Sequence, residues 1–238
     1  MLFPDLQPKR GTLPEGIDLR CCDVAEVLAV ARGARLVVAD PPWAYERGPG
    51  NEGLAEDHYT LLSVSDIAGH VDMSFACADP KGCRLALWYT WPKSDAWETE
   101  TILRREGHRP GGWRWGQKIT GGSWNKEEGR GIGYHWFGTS EPVAVYRVGS
   151  PTINSSVYLS NGSQCGREEH SYKPVEWMCG WWRRWTSPGD LVLDLYAGLG
   201  SVAVACALEG RRYIGAEIDL ERHRRAVLRV DEAYNNRR

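Results

Sequence analysis

The sequence predicts an α/β fold in which a circularly permuted, mixed and mostly parallel sheet carries helices on both faces. Three observations predict it. Short apolar runs alternate with helical patterns along most of the chain, as in sheets covered on both sides. A strand, glycine-rich turn and helix follow one another late in the chain, over 190–210. A second strand then ends at Glu217 with 21 residues left, enough for one helix, so the strands that complete the sheet come from upstream.

The strands expected, in order, are 35–39 (RLVVA), 84–90 (RLALWYT), 142–148 (PVAVYRV), 190–195 (DLVLDL) and 211–216 (RRYIGA). They are short apolar runs rather than clean alternations, which suits burial on both faces. Helices are expected over 23–32, 94–106, 174–186, 201–210 and 219–234. In 174–186, Trp177, Met178, Trp181, Trp182 and Trp185 share one helical face and read as a core stripe packing on the sheet. Two stretches break the alternation. Residues 44–57 are Gly-rich and polar, and read as a mobile loop that orders over bound ligands. Residues 107–137 are dense in Gly and Trp and read as an insertion or substrate-facing segment. There Arg109, Trp113, Arg114, Lys118, Trp124, Lys126 and Arg130 either meet nucleic acid through charge and stacking, or form an aromatic layer with solvated charges.

Composition narrows the function classes. The chain has 238 residues, 42% apolar and 25% charged, which excludes a largely disordered protein or a coiled coil. Its length suits one domain with an insertion: a catalytic half at about 20–106, the insertion, and a further half at about 170–230. No apolar run is long enough to span a bilayer, and the N-terminal segment does not resemble a signal peptide. A cytoplasmic protein with reduced thiols is therefore expected; its seven cysteines contain no CxxC pair. No metal is expected, since His58, His70, His108, His135, His170 and His223 show no ligand spacing. With a net charge of −2, nucleic acid would be held by few, local contacts rather than by bulk charge.

Two motifs carry the chemistry. The first is Val37-Val38-Ala39-Asp40-Pro41-Pro42-Trp43, a buried strand that delivers a carboxylate at its C-terminal end. Pro41 and Pro42 stiffen the turn and are expected to leave carbonyls free of competing N–H groups, and Trp43 to offer a flat apolar plate. A planar base with an exocyclic amine fits this set. The second is Asp194-Leu195-Tyr196-Ala197-Gly198-Leu199-Gly200-Ser201, with Glu217 nineteen residues after Gly198. Glycines admit a cofactor to the backbone and the acid suits ribose hydroxyls. A nicotinamide site also matches this spacing, but so short a remainder disfavours it.

The two motifs together resemble the β-class (permuted) S-adenosylmethionine-dependent amino-methyltransferases. Within them the chain is similar to the MT-A family of N6-adenine methyltransferases. The resemblance covers roughly 20–230: CDV at 22–24, VADPPW at 38–43, HY at 58–59, LALWYT at 85–90, GYHWFGTSEPVAVYRVG at 133–149, HSYKPVEW at 170–177, SPGDLVLDLYAG at 187–198 and GAEID at 215–219. It implies a Rossmann-like methyltransferase fold and S-adenosylmethionine as cofactor. It implies a catalytic set of Asp40, Pro41, Pro42 and Trp43. Cofactor contacts are implied for Cys22, Asp23, Val24, Asp40, Lys173, Asp194, Tyr196, Gly198, Gly200, Ser201 and Glu217, with Asp194 on the methionine side and Glu217 at the ribose. Trp43, Tyr45, His58, Tyr59, Lys118, Glu141 and Lys173 are implied on the substrate side. The full glycine loop and GAEID look bacterial or phage-like, which points to DNA, with a flipped or single-stranded adenine as target. No long target-recognition domain is present, so short or loose specificity is expected. Self-association into a homodimer is common in this class. The same reaction on RNA, a catalytically inactive nucleic-acid-binding partner and a cytosine-N4 target are the alternatives.

Overall fold

The computed structural model describes residues 11–44, 61–116, 118–125, 140–151, 173 and 175–237. The elements run β1 (Ile17–Cys21), α1 (Val24–Val30), β2 (Ala34–Ala39), α2 (Val64–Ser74), β3 (Gly82–Trp88), α3 (Ser94–Arg105), β4 (Thr120–Asn125), β5 (Ser140–Gly149), α4 (Val175–Trp185), β6 (Leu191–Asp194), α5 (Ser201–Glu209), β7 (Arg212–Glu217) and α6 (Leu220–Asn235). They form one seven-stranded sheet of order β1-β7-β6-β2-β3-β5-β4. The β1, β7, β6, β2 and β3 neighbours pair in parallel, while β5 runs antiparallel to both β3 and β4. This is the mixed, permuted α/β sheet that the sequence predicts.

Each expected strand and helix is present to within a few residues. Three elements were not expected: β1, β4 and α2. Local chemistry sets their ends. Ser63 and Asp66 form a reciprocal capping box that starts α2. Asp23 caps α1 by accepting the Ala25 N–H at 2.8 Å, and Asp219 caps α6 through Arg222 N at 2.8 Å.

Two cores lie on the two faces of the sheet. One gathers α4, α5 and α6 around Met178, Trp182, Ala203 and Val230. The other gathers α1, α2 and α3 around Val27, Ile67 and Trp97. The Trp stripe of α4 packs as expected, with Trp177, Trp181 and Trp182 buried. The segment 107–137 resolves in part into an aromatic layer rather than an open charged surface. Trp113 and Trp115 are buried, and Trp113 meets Trp97 and Tyr146 edge-on at 5.6 and 5.5 Å. Arg109 pairs with Glu100 and Arg114 with Asp72. Lys126 and Arg130 lie outside the described residues, as do Tyr45, His58 and Tyr59 and all but Ala44 of the 44–57 segment. Among the described residues no helix is long and apolar enough to cross a membrane.

Candidate active site

Parallel strands put their C-terminal ends on one edge. There β2 runs into Asp40 and β1 toward Asp23, while β6 ends at Asp194 and β7 at Glu217. The chain leaves β6 toward β7 and leaves β2 toward β3, on opposite sides, although β6 and β2 are neighbours. Such a switch point opens a crevice between the two strand ends. Antiparallel β5 reaches the same edge with its beginning, because Trp88 at the end of β3 pairs with Val143. Glu141 is thereby brought to the crevice.

Lys173 sits just ahead of α4 and closes the cluster. Its ammonium lies 2.7 Å from Asp40 Oδ2 and 2.9 Å from Glu141 Oε2. Burial alone would lower the lysine pKa, but the two carboxylates outweigh it and raise it. Lys173 is thus an ammonium at neutral pH. Among the described residues, two carboxylates thus share this one ammonium.

The DPPW turn is built differently from the expectation. The Pro41 carbonyl accepts the Trp43 N–H at 2.9 Å, closing a tight γ-type turn, and the Pro42 carbonyl accepts Leu62 N at 2.9 Å. Neither carbonyl is therefore free of competitors, although each oxygen keeps a second lone pair. Ala44 N returns to the Leu62 carbonyl at 3.2 Å, so the two ends of the intervening segment are stitched together. Trp43 is not an open plate. It is 4% exposed, its indole N–H donates to the Trp88 carbonyl at 3.1 Å, and its ring meets Trp97 edge-on at 5.8 Å. A buried indole N–H needs an acceptor, and the end of β3 supplies it. Trp43 holds the motif against the core.

The glycine-rich loop follows β6. Gly198 and Gly200 have φ of +54° and +75°, the left-handed region that favours glycine. Among the described residues a Cβ at Gly198 would meet nothing within 4 Å, so the backbone there borders open space. A Cβ at Gly200 would lie 2.9 Å from the Ala226 Cβ, so that glycine lets the loop rest on α6. Arg229, also on α6, donates to the Leu199 carbonyl at 3.0 Å and to Ser201 Oγ at 2.9 Å. Ser201 is buried and so held from behind.

Asp194 is likewise turned inward. It is 1% exposed, and accepts the Tyr213 hydroxyl at 3.0 Å on Oδ2 and the Tyr196 N–H at 3.3 Å on Oδ1. Burial pushes its carboxyl up to about 7, with the Tyr213 and Tyr196 hydrogen bonds working the other way. Asp194 and Ser201 therefore shape the loop from behind, which corrects the expectation that they line a ligand directly. The Tyr196 hydroxyl and His70 Nδ1 share a hydrogen bond at 2.9 Å, joining the loop to α2.

At the far end of the crevice, Glu217 accepts Asp219 N at 2.8 Å, and its carbonyl accepts Cys22 N at 3.1 Å. Burial raises the Glu217 pKa. Asp23 is exposed beside it, whereas Val24 is buried in the core. Ile218, which sequence reasoning passed over, is 67% exposed directly after Glu217 and gives that end an apolar surface. Lys118 is not brought to the Asp40 cluster; its ammonium pairs with Glu98 of α3. Among the described residues, Trp88 Nε1, Thr90 Oγ1 and Trp181 Nε1 are buried without a partner. Thr90 follows β3 where Glu141 precedes Pro142 on the facing strand, so unspent polar capacity lies near the Asp40–Lys173–Glu141 end.

A mixed, mostly parallel sheet with a glycine-rich turn at its switch point, faced by a carboxylate–lysine–carboxylate cluster, frames a crevice of the kind in which open α/β sheets bind ligands. The DNA methylase family model of N6/N4 type matches residues 87–228, and the chain belongs to that family. Solved structures share the fold across nearly the whole chain. The M1.HpyAVI–SAM complex superposes with a TM-score of 0.64 at 17% identity, covering 90% of this chain and 99% of that one. The cytosine-N4-specific PvuII DNA methyltransferase gives 0.62 at 15% identity, with 95% of each chain covered. A DNA modification methylase from Thermus thermophilus, complexed with S-adenosyl-L-methionine, gives 0.55 at 21% identity, covering 91% of this chain and 95% of that one. No curated protein matches the chain in sequence.

Proposed function

We propose that this DNA methylase transfers a methyl group from S-adenosylmethionine to N6 of adenine in DNA, with the whole chain acting as one methyltransferase domain. The observation that carries the reading is the Asp40 carboxylate, held beside the glycine-rich loop by the Lys173 ammonium, which Glu141 pairs in turn. The cofactor fits the residues present. The backbone at Gly198 borders open space, Glu217 offers a carboxylate for ribose hydroxyls, and Ile218 offers an apolar surface for a ring. When bound, S-adenosylmethionine would supply an electrophilic methyl group, the S–CH3 bond breaking to leave the neutral thioether S-adenosylhomocysteine.

The N6 amine is a weak nucleophile because its lone pair is delocalised into the ring. Asp40, as a carboxylate, accepts an amine N–H, and the Pro41 oxygen accepts the other on its remaining lone pair. Two acceptors at fixed positions draw the nitrogen toward tetrahedral geometry and aim its lone pair. The gain is alignment and preorganised electrostatics. Lys173 fixes the carboxylate and stays an ammonium, so it is not the group that takes the departing proton. A target in duplex DNA leaves the stack at a cost of a few kcal/mol. A carboxylate at the head of the motif, in place of the serine of Ser-Pro-Pro-Tyr motifs, favours adenine over cytosine N4.

The test is transfer of labelled methyl from S-adenosylmethionine to matched DNA and RNA oligonucleotides, with Asp40→Ala as control and digestion to nucleosides. N6-methyldeoxyadenosine that disappears in the variant is the expected product. N4-methyldeoxycytidine would overturn the choice of base, and N6-methyladenosine from RNA alone would overturn the choice of nucleic acid. Cofactor binding without transfer to either would favour an inactive partner subunit.

A further inference from the structure

Tyr213 is the second residue of β7, where nothing about the sequence marks it for function. Its ring is 1% exposed and its hydroxyl reaches the neighbouring strand, where Asp194 Oδ2 accepts it at 3.0 Å. To get there the side chain runs along its own strand across Gly215, the residue in register with Asp194. A Cβ at position 215 would lie 2.1 Å from the Tyr213 hydroxyl oxygen and 2.5 Å from Cζ. Gly215 is therefore the empty place that the tyrosine occupies. The other oxygen of the same carboxylate takes the Tyr196 N–H, where β6 turns into the glycine-rich loop. One phenol thus holds the buried carboxylate that takes the first N–H bond of the loop.

We propose that Tyr213 is a positioning residue of the glycine-rich loop: seated on Gly215, its hydroxyl fixes the Asp194 carboxylate that holds the loop at Tyr196, and this setting determines cofactor affinity. The inference rests on the reading of that loop as the cofactor cradle. Without the phenol, the carboxylate keeps its burial but loses one of the two hydrogen bonds that favour its charged form. The charged form, the stronger acceptor toward Tyr196, is then populated only at higher pH. The other titratable groups around it are Asp40 and Glu217, which are like charges, and the Cys206 thiol, which burial pushes above the physiological range. The Tyr213 hydroxyl is itself raised well above its ordinary value by burial and by Asp194, so it remains a donor throughout.

The experiment is calorimetric titration of the full chain with S-adenosylmethionine across the neutral pH range. Wild-type affinity should fall as pH drops through about 7, where Asp194 takes up a proton. Tyr213→Phe should bind about tenfold more weakly at neutrality, the effect of losing a hydrogen bond to a charged group. Its midpoint should move to higher pH, which a merely structural role would not produce. Gly215→Ala should weaken binding in the wild-type background and add little once Tyr213→Val has removed the ring, a non-additive double-mutant cycle. Tyr213→Phe with wild-type affinity and midpoint would overturn the proposal, as would an equal Gly215→Ala penalty in both backgrounds. If Tyr213→Phe does not fold, Asp194→Asn decides: loss of the acid limb supports the proposal and an unchanged limb overturns it. A wild-type protein that binds no S-adenosylmethionine overturns the cofactor reading and the proposal with it, an outcome distinct from all of these.

Discussion

The two sides of the crevice are built by opposite means. The glycine-loop side comes from neighbouring stretches of chain, from β6 through the start of α6, and is held by backbone conformation, buried hydrogen bonds and close packing. The Asp40 side is assembled from residues 40, 141 and 173, which approach only in the folded sheet and are held by opposite charges. Damage to the first should therefore register in folding and cofactor affinity together. Damage to the second should register in chemistry, with the fold intact.

The strongest way to break this contrast is Asp40→Ala. Removal of one preorganised electrostatic contact costs about 10²–10³ in kcat, and Asp40 is read as both acceptor and aligner, so a loss at the upper end is expected. Cofactor affinity and melting temperature should stay close to wild type. A tenfold weaker cofactor complex would show that Asp40 belongs to the cradle as much as to the chemistry.

Lys173→Met comes next, with an expected fall in transfer of about 10²-fold, in line with loss of a positioning contact in the reacting geometry. The variant leaves the Asp40 and Glu141 carboxylates without the ammonium that lies between them. Lys173→Arg should restore only part of the rate, because a planar guanidinium does not reproduce a point charge. Full restoration would mean that charge alone matters.

Legibility followed the same divide. The glycine loop and Glu217 were readable because the glycine spacing and the acid at a strand end are local signals. The DPPW strand was readable for the same reason. Pairing of Asp40 with Lys173 and Glu141 has no local signature, and only resemblance to a family placed those residues near one another. The missed elements have weak patterns. Strand β1 buries only Ile17 and Leu19 of its five residues, β4 carries two adjacent glycines, and α2 interrupts its apolar face with Gly69 and His70. The Ser63–Asp66 capping box was the one signal that marked α2. Trp43 was misplaced because an aromatic after a proline turn reads equally as a plate or as a core anchor. Its fate depends on an acceptor 45 residues away.

The two loop glycines sharpen the contrast within one motif. Gly200→Ala faces both a left-handed φ and the Ala226 side chain, and should cost about 1–3 kcal/mol of stability. Gly198→Ala meets open space, so only the conformational penalty of about 1 kcal/mol applies. Its new methyl group enters the space proposed for the cofactor, however, and should weaken binding about tenfold, one hydrogen bond's worth of affinity or a little more. Thermal melts and calorimetry on the pair should thus rank them in opposite orders. The same order in both measurements would mean that the open space at Gly198 is not the ligand's.

The smallest effect is expected at Arg229, which braces the loop from α6. Its guanidinium donates to the Leu199 carbonyl and to Ser201 Oγ, one residue either side of Gly200. The donor is an ionised guanidinium, but both acceptors are neutral and the half-buried arginine is partly screened by water, so the net loss is about 0.5–1.5 kcal/mol. Arg229→Met keeps much of the aliphatic packing on α6 while removing the donors. Ser201 lies at the start of α5 with its N–H groups oriented by the loop, and loosening it should raise the cofactor Kd about three- to tenfold, as that energy range implies. Transfer at saturating cofactor should be unchanged, because the Asp40 side is untouched. A loss of kcat at saturation would show that the loop also sets the geometry of the reacting atoms, and the two sides of the crevice would then be one mechanical unit.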